Sequence, residues 1–480
     1  MAEASATAAG APPPVAGGLE PFVPSASAPW DERRASHLLR RLAFGVGVPD
    51  LNEALFRSPS DAVAFFVQQA LDRPLPDTPP WYDSVPSGNQ NIDWLYEWQE
   101  GWYAEMRAGG LREKMTLFWH DHFATESNVY GLAPYAYQYV THLRAHALGS
   151  FRTLLDGVGT LPAMLIYLDG RYNVAADPNE NYARELCELF TMGIGHYTQD
   201  DIAELARALT GWRVNESTLS SYFDAARHDD GQKTIFGQTG RWDYAGALDL
   251  IFAQRALETA RRLCRKLYAW FVYGVPNESI VNQLADQLIA GSWQIAPVVQ
   301  RLLSSAHFFD EVFIGARIKD PSEFLVGLVR ELDIQPSDAV WSSYRELGFA
   351  LGQELLNPPN VAGWTGYRTW ITTGTVPERQ LVSSRALFGG GPFDEYDPLP
   401  LLDQITDATN VYSIADDLPA FLLPAADFSG EDRDYHVELL LVGAPYYEWP
   451  FLLQTTPEIA RERLRTLLNH LVSLPEFQLT

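Results

Sequence analysis

Apolar positions recur three and four residues apart along most of this chain, the spacing that gives a helix one buried face. From Asp31 to Ala43, the residues Ala35, Leu38, Leu39 and Leu42 keep that spacing, and Gly45 is placed to end the helix. A short helix is expected over 49–56, and Ser60 can cap another that runs to Leu71. The stretch 74–90, rich in Pro, Asp, Ser and Gly, reads as a loop. From Ile92 to Leu117 and beyond the pattern is one long helix, interrupted at Gly109-Gly110. Further helices are expected over 133–148, 150–156 and 162–168, then a polar loop over 170–179.

A helix over 180–191 should stop at Gly193, and Thr198-Gln199-Asp200-Asp201 resembles the start of the next. That next helix carries Ile202, Leu205, Ala206 and Leu209 before Gly211. Residues 213–245 lose periodicity and leave room for short hairpins. Helical spacing returns over 247–273, 277–290, 293–306, 320–332 and 337–354, then breaks at Pro358-Pro359. Residues 391–450 are acidic, Pro-containing and weakly periodic, as a loop-rich insert or a small subdomain would be. A last helix runs over about 457–474. The expected fold is mainly α: a large multi-helix single unit with long loops and at most short β-hairpins. Residues 1–29 form a flexible arm rich in Ala, Pro and Gly, 30–390 the helical core, and 391–480 an acidic segment and terminal helix completing the same domain.

Composition narrows the function classes. The 480 residues are 46% hydrophobic, enough for a sizeable core. A net charge of −26 opposes binding to nucleic acid, whose phosphates call for Lys and Arg. Fourteen Trp, 22 Tyr and 24 Phe supply core rings and also faces for sugars or apolar ligands. Cys187 and Cys264 are the two cysteines, so no Cys-type zinc module exists. No apolar run is long enough for a transmembrane helix. The first thirty residues lack the basic and apolar regions of a secretory signal.

The chemistry-bearing types concentrate in two stretches. One is Trp119-His120-Asp121-His122-Phe123, the other Asn179 through Tyr197. Leu111, Met115, Phe118 and His122 fall on one helical stripe, so His122 points into the core. His120 then points away by roughly 160°, at about 100° per residue. Both rings reach one metal only if the helix ends or kinks near Trp119; otherwise one ring supports the other. The plain alternative is one core and one surface histidine.

On the helix over 180–190, Tyr182, Ala183, Leu186, Cys187, Leu189 and Phe190 take one side. Glu180, Asn181, Arg184, Glu185 and Glu188 take the other. Glu185 and Glu188, three apart, stand side by side, as metal-bridging carboxylates or a shared-proton pair would. An ordinary solvated face laced with ion pairs fits the same pattern. His196 follows two glycines in a helix connection, and His228-Asp229 lies in a Gly-containing turn near Lys233. Each is a ligand or base candidate, and each also suits a cap or polar turn. The other six histidines, His37, His142, His146, His307, His436 and His470, read as structural. Asn357-Pro358-Pro359-Asn360-Val361-Ala362-Gly363-Trp364 is rigid and aromatic, a wall for a substrate cleft or a plug for the core. Phosphate-binding glycine loops and a GxSxG elbow are missing.

These blocks resemble the bacterial family known as domain of unknown function 1800. The resemblance rests on 37–45, the Trp-His-x-His-Phe block at 119–123, 179–212, Arg227-His228-Asp229 with Lys233 and Gly237, 357–364, and 474–479. It implies a mostly helical fold and a shared set of polar residues: His120, His122, Glu180, Arg184, Glu185, Glu188, His196, His228 and Asp229. It also implies export in many members, and a partner of the DUF1501 kind, similar to sulfatases and alkaline phosphatases. No reaction comes with it.

Two functional readings follow. In the first, His120 and His122 bind a divalent metal ion, or form a metal-free acid/base site. Glu185, Glu188, His196, His228 and Asp229 are then catalytic, and Arg184, Trp119 and Trp364 hold substrate, an extracellular polymer. In the second, the same polar block is packing, and the chain is a non-catalytic assembly partner of a sulfatase-like protein.

Overall fold

The computed structural model describes residues 13, 15, 17–424, 428 and 430–480, and over these the fold is mainly α. Three two-stranded antiparallel hairpins are the paired strands among the described residues. Trp212–Asn215 pairs with Ser220–Phe223, Lys233–Ile235 with Gln238–Gly240, and Gly389–Gly390 with Phe393–Glu395. The first two fall within the stretch that lacks helical periodicity. Among the described residues, no helix is long and apolar enough to cross a membrane.

Most of the arm expected over 1–29 lies outside the described residues up to position 16. From Gly17 the chain is seated rather than loose. The Phe22 N–H donates to the Ser304 carbonyl at 2.9 Å, the Ala306 N–H to Glu20 at 2.8 Å, and the His307 N–H to Gly18 at 3.0 Å. Leu19 and Phe22 are buried, with Phe22 against Phe309. Two apolar side chains in a Pro/Ala-rich stretch are enough to anchor it.

The helix Glu32–Leu42 starts at Asp31, whose side chain accepts the Arg34 N–H. It is buried on nearly all sides. Two of its three buried arginines find partners from distant segments. Arg41 donates to the carbonyls of Phe271, Val272 and Phe313. Arg40 donates to Glu331 at 2.8 Å and to the Phe421 carbonyl. The acidic segment is therefore bonded directly to the first helix. It is also more regular than its sequence suggests. Val411–Leu422, Glu431–Leu441 and Glu448–Thr455 are helices, so the loop-rich expectation for 391–450 is corrected. Each buries a narrow stripe, such as Val437, Leu440 and Leu441, too short to register as periodicity.

The helix Gln90–His122 breaks at Gly110, where φ is 51° and ψ is −133°. Such a backbone is easy for glycine and costly for other residues. Beyond the kink almost every side chain from Leu111 to His122 is buried, and the helix delivers 119–123 to the centre of the molecule. The expected helix over 247–273 is two, Tyr244–Gln254 and Ala256–Phe271, parted at Arg255.

Candidate functional site

A π-helical turn organises the polar residues. Asn181–Glu185 is α-helical, and Leu186–Phe190 continues it with the wider π spacing. The Thr191 hydroxyl closes the turn onto the Leu186 carbonyl at 2.5 Å. Gly193 (φ +84°) donates to the Cys187 carbonyl at 2.8 Å. Such turns are rare and recur at functional sites.

The buried side of this turn carries the histidine block. His122 is 2% exposed. One ring nitrogen, Nε2, lies 3.1 Å from the Phe190 carbonyl and Nδ1 lies 3.0 Å from Lys266 Nζ. A carbonyl only accepts, so Nε2 carries the proton and Nδ1 accepts from the lysine. Burial, then the charges of Lys266 and Arg262, hold this imidazole neutral, well below the usual histidine range. His120 is also fully buried, and burial drops it to about 3. Its Nε2 accepts the Leu356 N–H at 3.1 Å, and its ring lies between Trp102 and Trp364.

The two imidazoles thus serve different segments on opposite sides of their helix, as a regular helix requires. They do not converge on a metal. Among the described residues no group of three or more His, Cys, Asp or Glu side chains is arranged to hold one. Trp119 is likewise sealed, its indole N–H on the Ala147 carbonyl at 2.8 Å and its rings among Phe118, Phe123 and Phe151. It presents no face to a substrate.

Between the histidines stands Asp121, half-buried beside Lys266. Its Oδ1 accepts the Trp364 N–H at 2.7 Å. Burial raises its carboxyl to about 6, against the pull of Lys266 and of that N–H. The half-buried Lys266 amine is lowered to about 8 by burial; Asp121 opposes the shift and Arg262 adds to it. Arg262 lies one helical turn before Lys266 and donates to the Leu189 carbonyl at 3.3 Å. Sequence reasoning misses Asp121, Lys266 and Arg262. The four-residue spacing of Arg262 and Lys266 puts them on one face, but nothing in it shows which segment that face meets.

The outer side of the turn carries the glutamates. Arg184 donates to Glu180 at 2.8 Å and to Gln199 at 3.1 Å, and lies 3.8 Å from Glu188. Glu188 also accepts from the Tyr197 hydroxyl. Glu185 is raised by burial and by Glu188, with Arg184 opposing. Its charge also bears on Tyr167, whose hydroxyl donates to Glu126 at 2.7 Å. Imidazole and carboxylates therefore do meet at this turn, but on its two sides and without touching.

The remaining candidates lie elsewhere. His196 is exposed in the loop, with its backbone carbonyl accepting from Arg255 at 2.7 Å. The His228 Nδ1 is 3.0 Å from the Thr210 carbonyl. Asp229 accepts from Arg207 at 2.7 Å and from the Gly231 N–H at 2.8 Å, and Arg207 holds its carboxyl below the usual range. Lys233 is buried and donates to the Asp229 and Gly231 carbonyls. Asp229 and Lys233 hold the loop. The helix Gln199–Ala208 separates this pair from the glutamates, with Arg184 bonded at Gln199 and Asp229 at Arg207. Eight residues at 1.5 Å each set them roughly 12 Å apart.

Trp364 arrives on the loop after Pro358-Pro359. Gly363 has φ +83° and sits directly on Asp121; a Cβ there would collide with the Asp121 carboxylate and carbonyl. Asn357 accepts from the Ser127 hydroxyl at 2.9 Å and fixes the other end of the loop. Half-exposed Trp364 and the nearly buried Trp370 line a shallow hollow of about 230 Å³.

Fold and site together define a mainly α protein with a buried histidine block on one side of a π-helical turn and a ladder of charged residues on the other. The chain belongs to the DUF1800 family, described as protein of unknown function, whose model matches residues 37–479. No curated protein and no solved structure matches it.

Proposed function

We propose that this protein is an acid/base enzyme whose working groups are Asp121 and Lys266. One observation carries the reading. A carboxyl and an amine sit half-buried in one site, with their proton affinities drawn toward neutrality from opposite ends. Groups so shifted exchange protons readily near pH 7. The Lys266 ammonium is the acid and the Asp121 carboxylate the base. His122, held neutral between Phe190 and Lys266, positions the amine. Glu188 stays on the outer side of the π turn with Tyr197 and Arg184, apart from this pair. The pair works without a metal at His120 and His122: both His122 nitrogens and Nε2 of His120 already have protein partners.

The test is the proton affinity of one amine. Competitive acylation with peptide mapping should give Lys266 half-reactivity near 8, where an ordinary lysine gives about 10.4. A screen of ester, amide and glycoside substrates should show turnover that K266M and D121N each remove. An ordinary lysine profile, or turnover indifferent to both changes, overturns the proposal.

A second reading, docking to a sulfatase-like partner of the DUF1501 kind, draws on the acidic segment. There Val442, Tyr446, Tyr447 and Phe451 are each 62–67% exposed. Clustered exposed apolar groups of this kind mark contact surfaces. Co-purification lost in a Y447A/F451A variant supports it, and retention in that variant removes it.

A further inference from the structure

We infer that the hollow walled by Trp364 and Trp370 is a subsite for one neutral sugar ring of a glycan. The inference names a substrate class for the proposed acid/base site, and rests on that reading for turnover but not for binding.

The hollow is walled by Pro359, Trp364 and Trp370 and rimmed by Thr365, Thr369 and Gly352. No charged side chain lines it. Aromatic faces with hydroxyls and no charge match a pyranose, which offers an apolar C–H face and a ring of hydroxyls. Its volume of about 230 Å³ falls below the roughly 300–1,000 Å³ of drug-sized pockets. It suits one ring better than a longer extended peptide.

Glycines keep the aromatic groups uncovered. Trp370 is 7% exposed, and its indole N–H has no acceptor among the described residues. A Cβ on Gly366 (φ +69°) would stand 3.7 Å from that nitrogen. A Cβ on Gly352 (φ +90°) would stand 4.0 Å from the Trp370 ring. Larger side chains at either place would cover the donor or the ring. An indole N–H is a donor only, and at the edge of the hollow it can serve a sugar hydroxyl oxygen. The Trp364 backbone N–H is held by Asp121 Oδ1, which ties the loop carrying this aromatic wall to the proposed base.

The test uses the full chain with cellohexaose, xylohexaose, mannohexaose and chitohexaose, followed by indole fluorescence and titration calorimetry. At least one should bind with a Kd of roughly millimolar or tighter. W364A should abolish binding. T365E changes an exposed rim residue that leaves the core intact, and should weaken binding by roughly tenfold or more. K266M should bind as the parent does and fail to turn the glycan over. The inference is overturned if none of the four binds at about 10 mM. It is overturned equally if binding survives both W364A and T365E. A proline-rich peptide that binds here, with the sugars inert, also overturns it and identifies a peptide groove instead. Lys266-dependent turnover of some other substrate would sink the glycan assignment and leave the acid/base reading standing.

Discussion

Glu331 and Asp121 are both carboxylates beside a lysine inside a helical core, yet they end in opposite protonation regimes. Glu331 is 1% exposed and saturated. Arg40 and the Val46 N–H donate to one oxygen, and Lys319 donates to the other at 3.2 Å. Burial alone would raise this carboxyl, but Lys319 and Arg40 hold it below the usual range. Glu323 and Glu113 are closed in the same manner. Glu323 takes Lys114 and Arg317, and Glu113 takes Arg144 at 2.7 Å and Trp102 at 3.1 Å. Asp121 has one N–H donor and a lysine that is itself bonded to an imidazole, and it rises to about 6. The number of donors per carboxylate decides the outcome. A saturated node is fixed as an ion and serves packing; an unsaturated one keeps a labile proton and is free for chemistry.

The comparison breaks first at Glu331. Replacing it with Ala leaves Arg40 and Lys319 buried without their counter-ion. Removing one partner of a buried ion pair costs about 3–5 kcal/mol. Chemical denaturation of E331A should show a loss of that size. A loss under about 1 kcal/mol would mean that the node is not closed as described.

Gly363→Ala tests the seat of Asp121. The added Cβ meets a positive φ and also the carboxylate itself. A loss of about 1–3 kcal/mol is expected from the strained backbone. If the loop moves off, the Trp364 N–H leaves Asp121. Losing that donor raises the carboxyl further above 6. Unchanged stability together with an unchanged Asp121 titration would remove the loop from the site.

Much of this fold is readable from local rules acting on the residues alone. The Gly109-Gly110 interruption, the Thr198–Asp201 capping box and the 213–245 hairpins all depend on neighbours within a few residues. The wheel for 180–190 and the inward aim of His122 need only a helical period. The site is legible in its pieces and not in its assembly. Lys266 reaches His122 across 144 residues of sequence, and no spacing rule signals such a pair. Asp121 looks like a spacer between two more conspicuous histidines. His120 and His122 stand out by residue type, but the partners of their rings, a carbonyl and Lys266 for His122 and a backbone N–H for His120, come from segments far away in sequence. The short helices of 411–455 take their order from tertiary contacts, which a weak periodicity does not reveal.

Asp121→Asn sharpens the comparison through pH. The folded protein prefers the protonated acid, with a carboxyl near 6 in place of the ordinary 3.8. The stabilising contribution of Asp121 is therefore full below pH 3.8 and is lost as pH rises through about 6. The parent should lose stability relative to D121N across that window and stay level above it. Thermal melts at closely spaced pH values read the difference. Because Asp121 supports the Lys266 charge, the amine should also fall further below 8 in D121N. A parallel pH dependence in parent and variant would show an unshifted carboxyl, and a parent that loses stability relative to the variant as pH falls would place Asp121 among the saturated carboxylates.

The smallest effect belongs to Arg184, on the outer side of the same turn that His122 grips from within. Its side chain is 36% exposed, paired with Glu180 one turn back and more loosely with Glu188 one turn on. Exposed pairs of this kind contribute about 0–1 kcal/mol. R184A should therefore unfold almost where the parent does, even though it removes the centre of a ladder of charges. Its mark should be on titration instead. Arg184 opposes the upward shift of Glu185, so removing it should raise that carboxyl further, as carbon-detected NMR of the glutamate side chains can follow. A cost above about 2 kcal/mol would show that the outer glutamates are as tightly closed as Glu331. The contrast between open and saturated carboxylates would then no longer separate chemistry from packing in this protein.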